Sequence, residues 1–301
     1  MTQEKPDHKP RRPPAPATGE KTAARPQSPA DTRDRADEVR ICGVNACRAV
    51  AETKRDRIIR VYVSEARLQT FGSLLRWCAE TRRAYHVVTD AELERVTESK
   101  HHEGICLLVR RPPAPGFAAF TATLAASTGP CCLLLVENVG NPHNLGAIIC
   151  VAAHFGAAGL LLAGGSGTPA SLSAAAHRIA EGGLEHVPVI PVADPVRAVT
   201  ALREAGFLAV ATSSHVAESL YAADLPPRVL FLFGSETEGL TAAVSRAADR
   251  CVAIPGSGAV ESLNVACAAA AFLSEFRRLH PLPVNGPSSN PVPETSGAAH
   301  D

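Results

Sequence analysis

From residue 130 onward, short uninterrupted apolar runs alternate with longer stretches of helical period. The runs Cys132–Val136 (CLLLV), Gly159–Ala163 (GLLLA), Val187–Ile190, Phe207–Thr212, Val229–Phe233 and Cys251–Ile254 predict strands. Several are apolar at every position, the pattern of a sheet covered on both faces. Between them, Asn144–Phe155, Ser171–Ala180, Pro195–Ala205, Ala242–Ala248 and Val265–Leu279 predict helices. Such alternation predicts an α/β fold with a mostly parallel sheet.

A smaller α/β unit precedes it. Asn45–Thr53 predicts a helix, Ile58–Val63 a strand, and Leu68–Thr81 an amphipathic helix carrying Trp77. Tyr85–Val88 predicts a second strand, and Asp90–Val96 a helix with Asp90 as its N-cap. Ile105–Val109 closes the unit. Pro112, Pro113 and Pro115 open a linker with room for a short helix. Residues 1–38 hold seven prolines, many charges and almost no large apolar side chain. They and the Pro/Ser/Gly-rich residues 282–301 are expected to be disordered tails, because they bury too little to offset ordering entropy. The expected organisation is therefore tail 1–38, small unit 39–112, linker 113–128, large unit 129–281 and tail 282–301.

Composition adds two facts. Hydrophobic residues make up 46% of the 301 but aromatics only 4%, so the core is built from Ala, Leu and Val. The formal net charge is zero but unevenly spread. Residues 40–112 carry 14 Lys/Arg against 9 Asp/Glu (+5), and residues 113–301 carry 8 against 14 (−6). Either the small unit meets a polyanion or the asymmetry is chance on solvated faces. Residues 1–36 are +3, with eight basic against five acidic, which suits a solubilising tail or a weak nucleic-acid tether. Nine cysteines without a CxxC pair point to reduced, mostly buried thiols, a cytoplasmic protein and no metal site. No apolar run reaches the ~18 residues of a membrane span.

Candidate chemistry lies in three loops, each leaving a strand of the large unit. The first, Glu137–Gly146, follows its strand with Asn138, Asn141 and Asn144. Asn144 is either a helix cap or a group at a pocket mouth, since parallel sheets bind ligands at their carboxyl edge. The second places Gly234 directly after a buried strand, where backbone can be approached closely, and then Glu236 and Glu238. These carboxylates are either helix-start charges or ligand groups. The third runs from Ile254 through Pro255-Gly256-Ser257-Gly258 to Ser262, Leu263 and Asn264, at the start of a strongly apolar helix. A Gly-rich turn entering a helix presents free N–H groups to a ligand. No Walker loop or GxGxxG follows the first strand of the large unit, which disfavours a generic nucleotide-binding enzyme.

In combination the segments NPHNLGAIICVAAHFGA, FLFGSETEGL and VAIPGSGAVESLNVACAAAAFL resemble motifs 1, 2 and 3 of the SpoU/TrmH family of RNA ribose 2′-O-methyltransferases, in the SPOUT class. The likeness covers about residues 130–280. Gly43-Val44-Asn45-Ala46-Cys47 and His102-Glu103-Gly104-Ile105 resemble parts of that family's L30-like substrate-binding domain, and RRAYHVVTDAEL brings the chain nearest to a YfiF-like bacterial subgroup. The resemblance implies a trefoil-knotted SPOUT-type sheet, a homodimer, rRNA or tRNA as partner, and S-adenosylmethionine as cofactor. By motif position it implies that Gly234, Ile254 and Leu263 contact the cofactor, mainly through backbone. Asn144, Glu236, Ser262 and Asn264 match the family's polar active-site positions. Two positions depart: Cys150 stands where the family carries an arginine, and Ala266 where it commonly carries serine. An arginine offers a fixed fork of donors to a phosphate that a thiol cannot replace. The expected function is methyl transfer to a ribose 2′-hydroxyl; the alternative is an RNA-binding relative with weakened or lost turnover.

Overall fold

The computed structural model describes residues 38–111, 116–125, 129–164, 172–214, 216 and 218–282. The two expected tails, apart from their inner edges, and the proline-rich start of the linker lie outside the described residues.

The first sheet is built from β1 (Glu38–Cys42), β2 (Ile58–Val63), β3 (Ala84–Val87) and β4 (Ile105–Arg110), in the order β1-β4-β2-β3. Helices α1 (Val44–Thr53), α2 (Gly72–Glu80) and α3 (Asp90–Thr97) connect them. Strands β1 and β2 both run antiparallel to β4, while β3 pairs parallel with β2 at the edge. Alternation sends Ile41, Val61, Val63, Leu107 and Val109 to one face, where they form a core with Val50, Leu74 and Cys78 from α1 and α2. Strand β1 was not expected. It lies directly behind the charged tail, and Glu38-Val39-Arg40-Ile41-Cys42 supplies only two alternating apolar residues before Cys42. Pairing with β4, rather than its own propensity, makes it a strand. Helix α3 is capped by Thr89, not by Asp90. The Thr89 hydroxyl accepts from the Glu92 amide, and the Glu92 carboxylate accepts from the Thr89 amide at 2.8 Å. That reciprocal pair satisfies two of the first turn's orphan donors.

After α4 (Phe117–Ala125) comes the second sheet. Its strands are β5 (Cys131–Glu137), β6 (Gly159–Ala163), β7 (Val189–Val192), β8 (Leu208–Thr212), β9 (Arg228–Phe233) and β10 (Arg250–Val252). They lie in the order β10-β8-β9-β5-β6-β7, and every pair is parallel. Helices α5 (Pro142–His154), α6 (Ala174–Ile179), α7 (Pro195–Glu204), α8 (Ala242–Ala247) and α9 (Val265–Leu279) supply the crossovers and the C-terminal element. Every residue of β5 is buried, because helices cover both faces. On one face Phe231 and Phe233 meet Phe272 of α9 edge-on, with ring centroids 5.3 and 5.5 Å apart. On the other, α7 and Phe120 of α4 pack on Leu133, Leu135 and Leu161.

The two sheets meet through polar side chains. Glu185, its side chain only 4% exposed, takes Arg57 at 3.0 Å and Lys54 at 3.1 Å. Asn45 donates to Glu181 at 2.7 Å. His177 of α6 sits beside Glu185, Arg57 and Arg111, and burial pushes its imidazole down to about 4, so it stays neutral.

Candidate functional site

Three segments leave the carboxyl edges of β5, β9 and β10; β5 and β9 are neighbours, and β8 alone separates β9 from β10. Parallel strands end on the same side, so residues far apart in sequence arrive at one place.

The segment after β5 begins α5. Asn141 is its N-cap, accepting from the His143 amide at 2.9 Å, with Pro142 at the first helical position. Asn144 therefore has no capping role. It is 9% exposed, and its side-chain oxygen is turned toward the start of α9.

The segment after β9 folds back on itself. Ser235 and Gly239 exchange backbone hydrogen bonds at 3.2 and 3.0 Å, and the Ser235 hydroxyl accepts from the Glu238 amide at 3.1 Å. A Cβ on Gly234 would lie 1.9 Å from the Gly239 carbonyl carbon, so only glycine lets the turn close. The closed turn projects Glu236 outward. Helix α8 is capped by Thr241, so Glu236 and Glu238 are not helix-start charges.

The segment after β10 runs without regular structure from Ile254 to Asn264 and bends at residues 258–261. Ile254 packs against the core, whereas Leu263 is 49% exposed and Val260 70% exposed. Asn264 caps α9 with its side-chain oxygen, accepting from the Ala266 amide at 2.9 Å. Its side-chain nitrogen donates to Asn144 Oδ1 at 3.0 Å and to Glu236 Oε1 at 2.7 Å. One amide thus ties all three segments together, and both of its ends are used.

Of the residues singled out from the sequence, Asn144, Glu236 and Asn264 form one hydrogen-bonded cluster. Gly234, Ile254 and Leu263 lie on the same segments, and Ser262 stands exposed two residues before Asn264. Cys150 is part-buried on α5, and burial together with the charge of Glu181 pushes its thiol up, so it stays protonated.

One residue escaped the sequence reading. Glu137, the last residue of β5, is 3% exposed. Its two carboxylate oxygens accept from the amide and the hydroxyl of Thr241 at 2.8 and 2.9 Å. It pins the far end of the Gly234–Leu240 turn to β5. The signal was present: a carboxylate ending a continuous apolar strand is costly unless it has partners.

Comparison with known proteins agrees with this architecture. The profile of the SpoU rRNA Methylase family matches residues 132–274, and that of RNA 2'-O ribose methyltransferase substrate binding matches residues 40–115. The uncharacterized tRNA/rRNA methyltransferase YfiF of Escherichia coli O157:H7 is 36% identical over 248 residues, spanning 82% of this chain and 70% of that protein. The 23S rRNA (guanosine-2'-O-)-methyltransferase RlmB of Nitrosomonas europaea is 28% identical, spanning 85% and 97%. Among solved structures, the SpoU methyltransferase AviRb of Streptomyces viridochromogenes, in complex with AdoMet, superposes with a TM-score of 0.67 at 24% identity, covering 83% of this chain and 93% of that one. It shares the fold. By these matches the chain belongs to the SpoU rRNA methylase family.

Proposed function

We propose that this protein transfers a methyl group from S-adenosylmethionine to a ribose 2′-hydroxyl of rRNA or tRNA, at the loops that bring together Asn144, Gly234–Glu238 and Ile254–Asn264. The observation that carries the reading is the Asn264 amide, bonded at once to Asn144, Glu236 and the start of α9. The residues suit the cofactor. Exposed Leu263 and part-buried Ile254 offer an apolar wall, Gly234 lets the turn that carries Glu236 close on itself, and the Glu236 carboxylate suits a sulfonium or ammonium centre. S-adenosylmethionine, when bound, supplies an electrophilic methyl on a positively charged sulfur. The protein's part is to bring the hydroxyl in line and help its proton leave. Glu236, Ser262 and Asn264 act in positioning, with Asn144 holding Asn264. The knotted backbone path and the homodimer belong to this reading, and an RNA substrate with reduced thiols fits a cytoplasmic location.

Cys150 favours a second reading, in which RNA and cofactor bind but transfer is slow. A protonated thiol at the family's arginine position brings no cation to a phosphate and no base to the hydroxyl. Calorimetric binding of S-adenosylmethionine, alongside transfer of labelled methyl to RNA by wild type and Cys150→Arg, separates the two. Binding with transfer by wild type supports the enzyme. Binding with transfer only by Cys150→Arg supports the second reading. Absence of binding by either protein refutes both.

A further inference from the structure

The first sheet has a second face, opposite its apolar core. Alternation places Arg40 of β1, Arg60 and Tyr62 of β2, Ala84 and His86 of β3, and Leu108 and Arg110 of β4 there. Helix α3 covers part of it, burying Leu93 and Thr97, and Glu98 just beyond the helix takes Arg40 at 3.0 Å. The β2–β3 half stays open. Here Tyr62 and His86, directly opposite in the parallel register, stack with ring centroids 5.5 Å apart and planes 22° from parallel. Arg60 donates to the Tyr62 hydroxyl at 3.2 Å. Arg60, Tyr62, His86, Val88, Glu92, Arg95 and Val96 line a cleft of about 390 Å³.

The cleft has the parts that unpaired nucleic acid uses. Two nearly parallel rings offer a face on which another flat ring can stack, and two exposed guanidinium groups stand beside them. The single carboxylate in the lining, Glu92, is engaged by the Thr89 amide at 2.8 Å and the Thr89 hydroxyl at 2.9 Å. A base in a duplex is already stacked on both sides, so the platform selects an unpaired one. The +5 charge over residues 40–112 favours a polyanion over a neutral peptide.

We propose that the Tyr62–His86 pair is a stacking platform for one unpaired RNA base, with Arg60 and Arg95 on the flanking phosphates. The proposal rests on the reading of this chain as RNA-binding and adds where, and in what form, the RNA is held. The platform lies on the small sheet, apart from the loops that end β5, β9 and β10.

The test measures binding of the full chain to a short fluorescein-labelled oligouridylate and to a blunt RNA duplex, over a series of salt concentrations. Tyr62→Ala and His86→Ala are each expected to weaken oligouridylate binding by about 5- to 140-fold, the worth of one stacked base. The salt slope should stay unchanged, and Tyr62→Phe should restore affinity. Arg95→Gln should lower the salt slope by roughly 0.7, one phosphate of a single strand. Duplex binding should be insensitive to the two alanine changes. S-adenosylmethionine affinity reports that each variant is folded and should not move. If both alanine variants hold oligouridylate like wild type, the platform is wrong even though the chain binds RNA. If wild type binds neither RNA, the RNA-binding reading fails as well.

Discussion

The Asn264 amide can be inverted, and its energetics worked from the three distances around it. In Asn264→Asp the helix cap survives, because a carboxylate oxygen accepts from the Ala266 amide as the amide oxygen does. The donor to Glu236 is replaced by a second carboxylate about as close as the present 2.7 Å contact. A hydrogen bond to a charged group, worth about 1.5–3 kcal/mol, is lost. Repulsion adds to it, at the low end of roughly 1–4 kcal/mol, because Glu236 is exposed. Asn144 can flip its amide and donate to the new carboxylate, so that contact offsets part of the cost. The net expectation is a loss of about 2–3 kcal/mol near neutral pH. Like charges raise a carboxyl pKa in the folded state, so the loss should shrink as pH falls and one of the pair takes a proton. Adding Glu236→Gln puts a donor opposite the new acceptor. The double variant should recover most of the loss, giving a coupling energy above about 1 kcal/mol in a urea-denaturation cycle. Additivity within about 0.5 kcal/mol would refute the view that one amide joins these loops.

Gly234→Ala should destabilise by about 3 kcal/mol and abolish S-adenosylmethionine binding, since its Cβ would meet the Gly239 carbonyl carbon 1.9 Å away. Gly239→Ala, which meets nothing but holds φ at +68°, should cost only about 1–2 kcal/mol in the same denaturation assay. Glu185→Ala strands Arg57 and Lys54 where the two sheets meet. It should cost roughly 2–3 kcal/mol, less than the ~3–5 of a fully buried pair because both cations keep some solvent. His177 titrates at about 4 in the folded protein against about 6.5 unfolded, so the unfolded state binds the extra proton. Its contribution is present above pH ~6.5 and fades toward pH 4, amounting to about 2–3 kcal/mol after allowance for the residue's being only part-buried. His177→Gln should remove that slope from a pH series of denaturation midpoints.

The large sheet was legible because several of its strands are apolar at nearly every position and its loops are marked by Asn, Gly and Pro. The lateral order β10-β8-β9-β5-β6-β7 was not, since periodicity reports burial and says nothing of which strand lies beside which. Strand β1 was missed because pairing with β4 creates it. Thr89 and Asp90 are adjacent and both suit an N-cap, and only the hydrogen bonds to Glu92 assign the cap to Thr89. In the site, Asn144, Glu236 and Asn264 could each be named from motif position, but the amide that joins them appears only in three dimensions. Glu137 shows the converse. The sequence places it at the first position of a loop, whereas the structure extends β5 through it and buries its carboxylate against Thr241.

If the three loops build a site for methyl transfer to ribose, the methyl group must end on the 2′-oxygen. The most direct measurement incubates labelled S-adenosylmethionine with RNA from cells lacking this gene, digests the product with alkali and separates the nucleotides. A ribose 2′-O-methyl blocks alkaline cleavage, so label should appear in alkali-resistant dinucleotides and be lost in Asn264→Asp. Label released entirely as mononucleotides methylated on the base would contradict it, as would transfer that Asn264→Asp leaves intact.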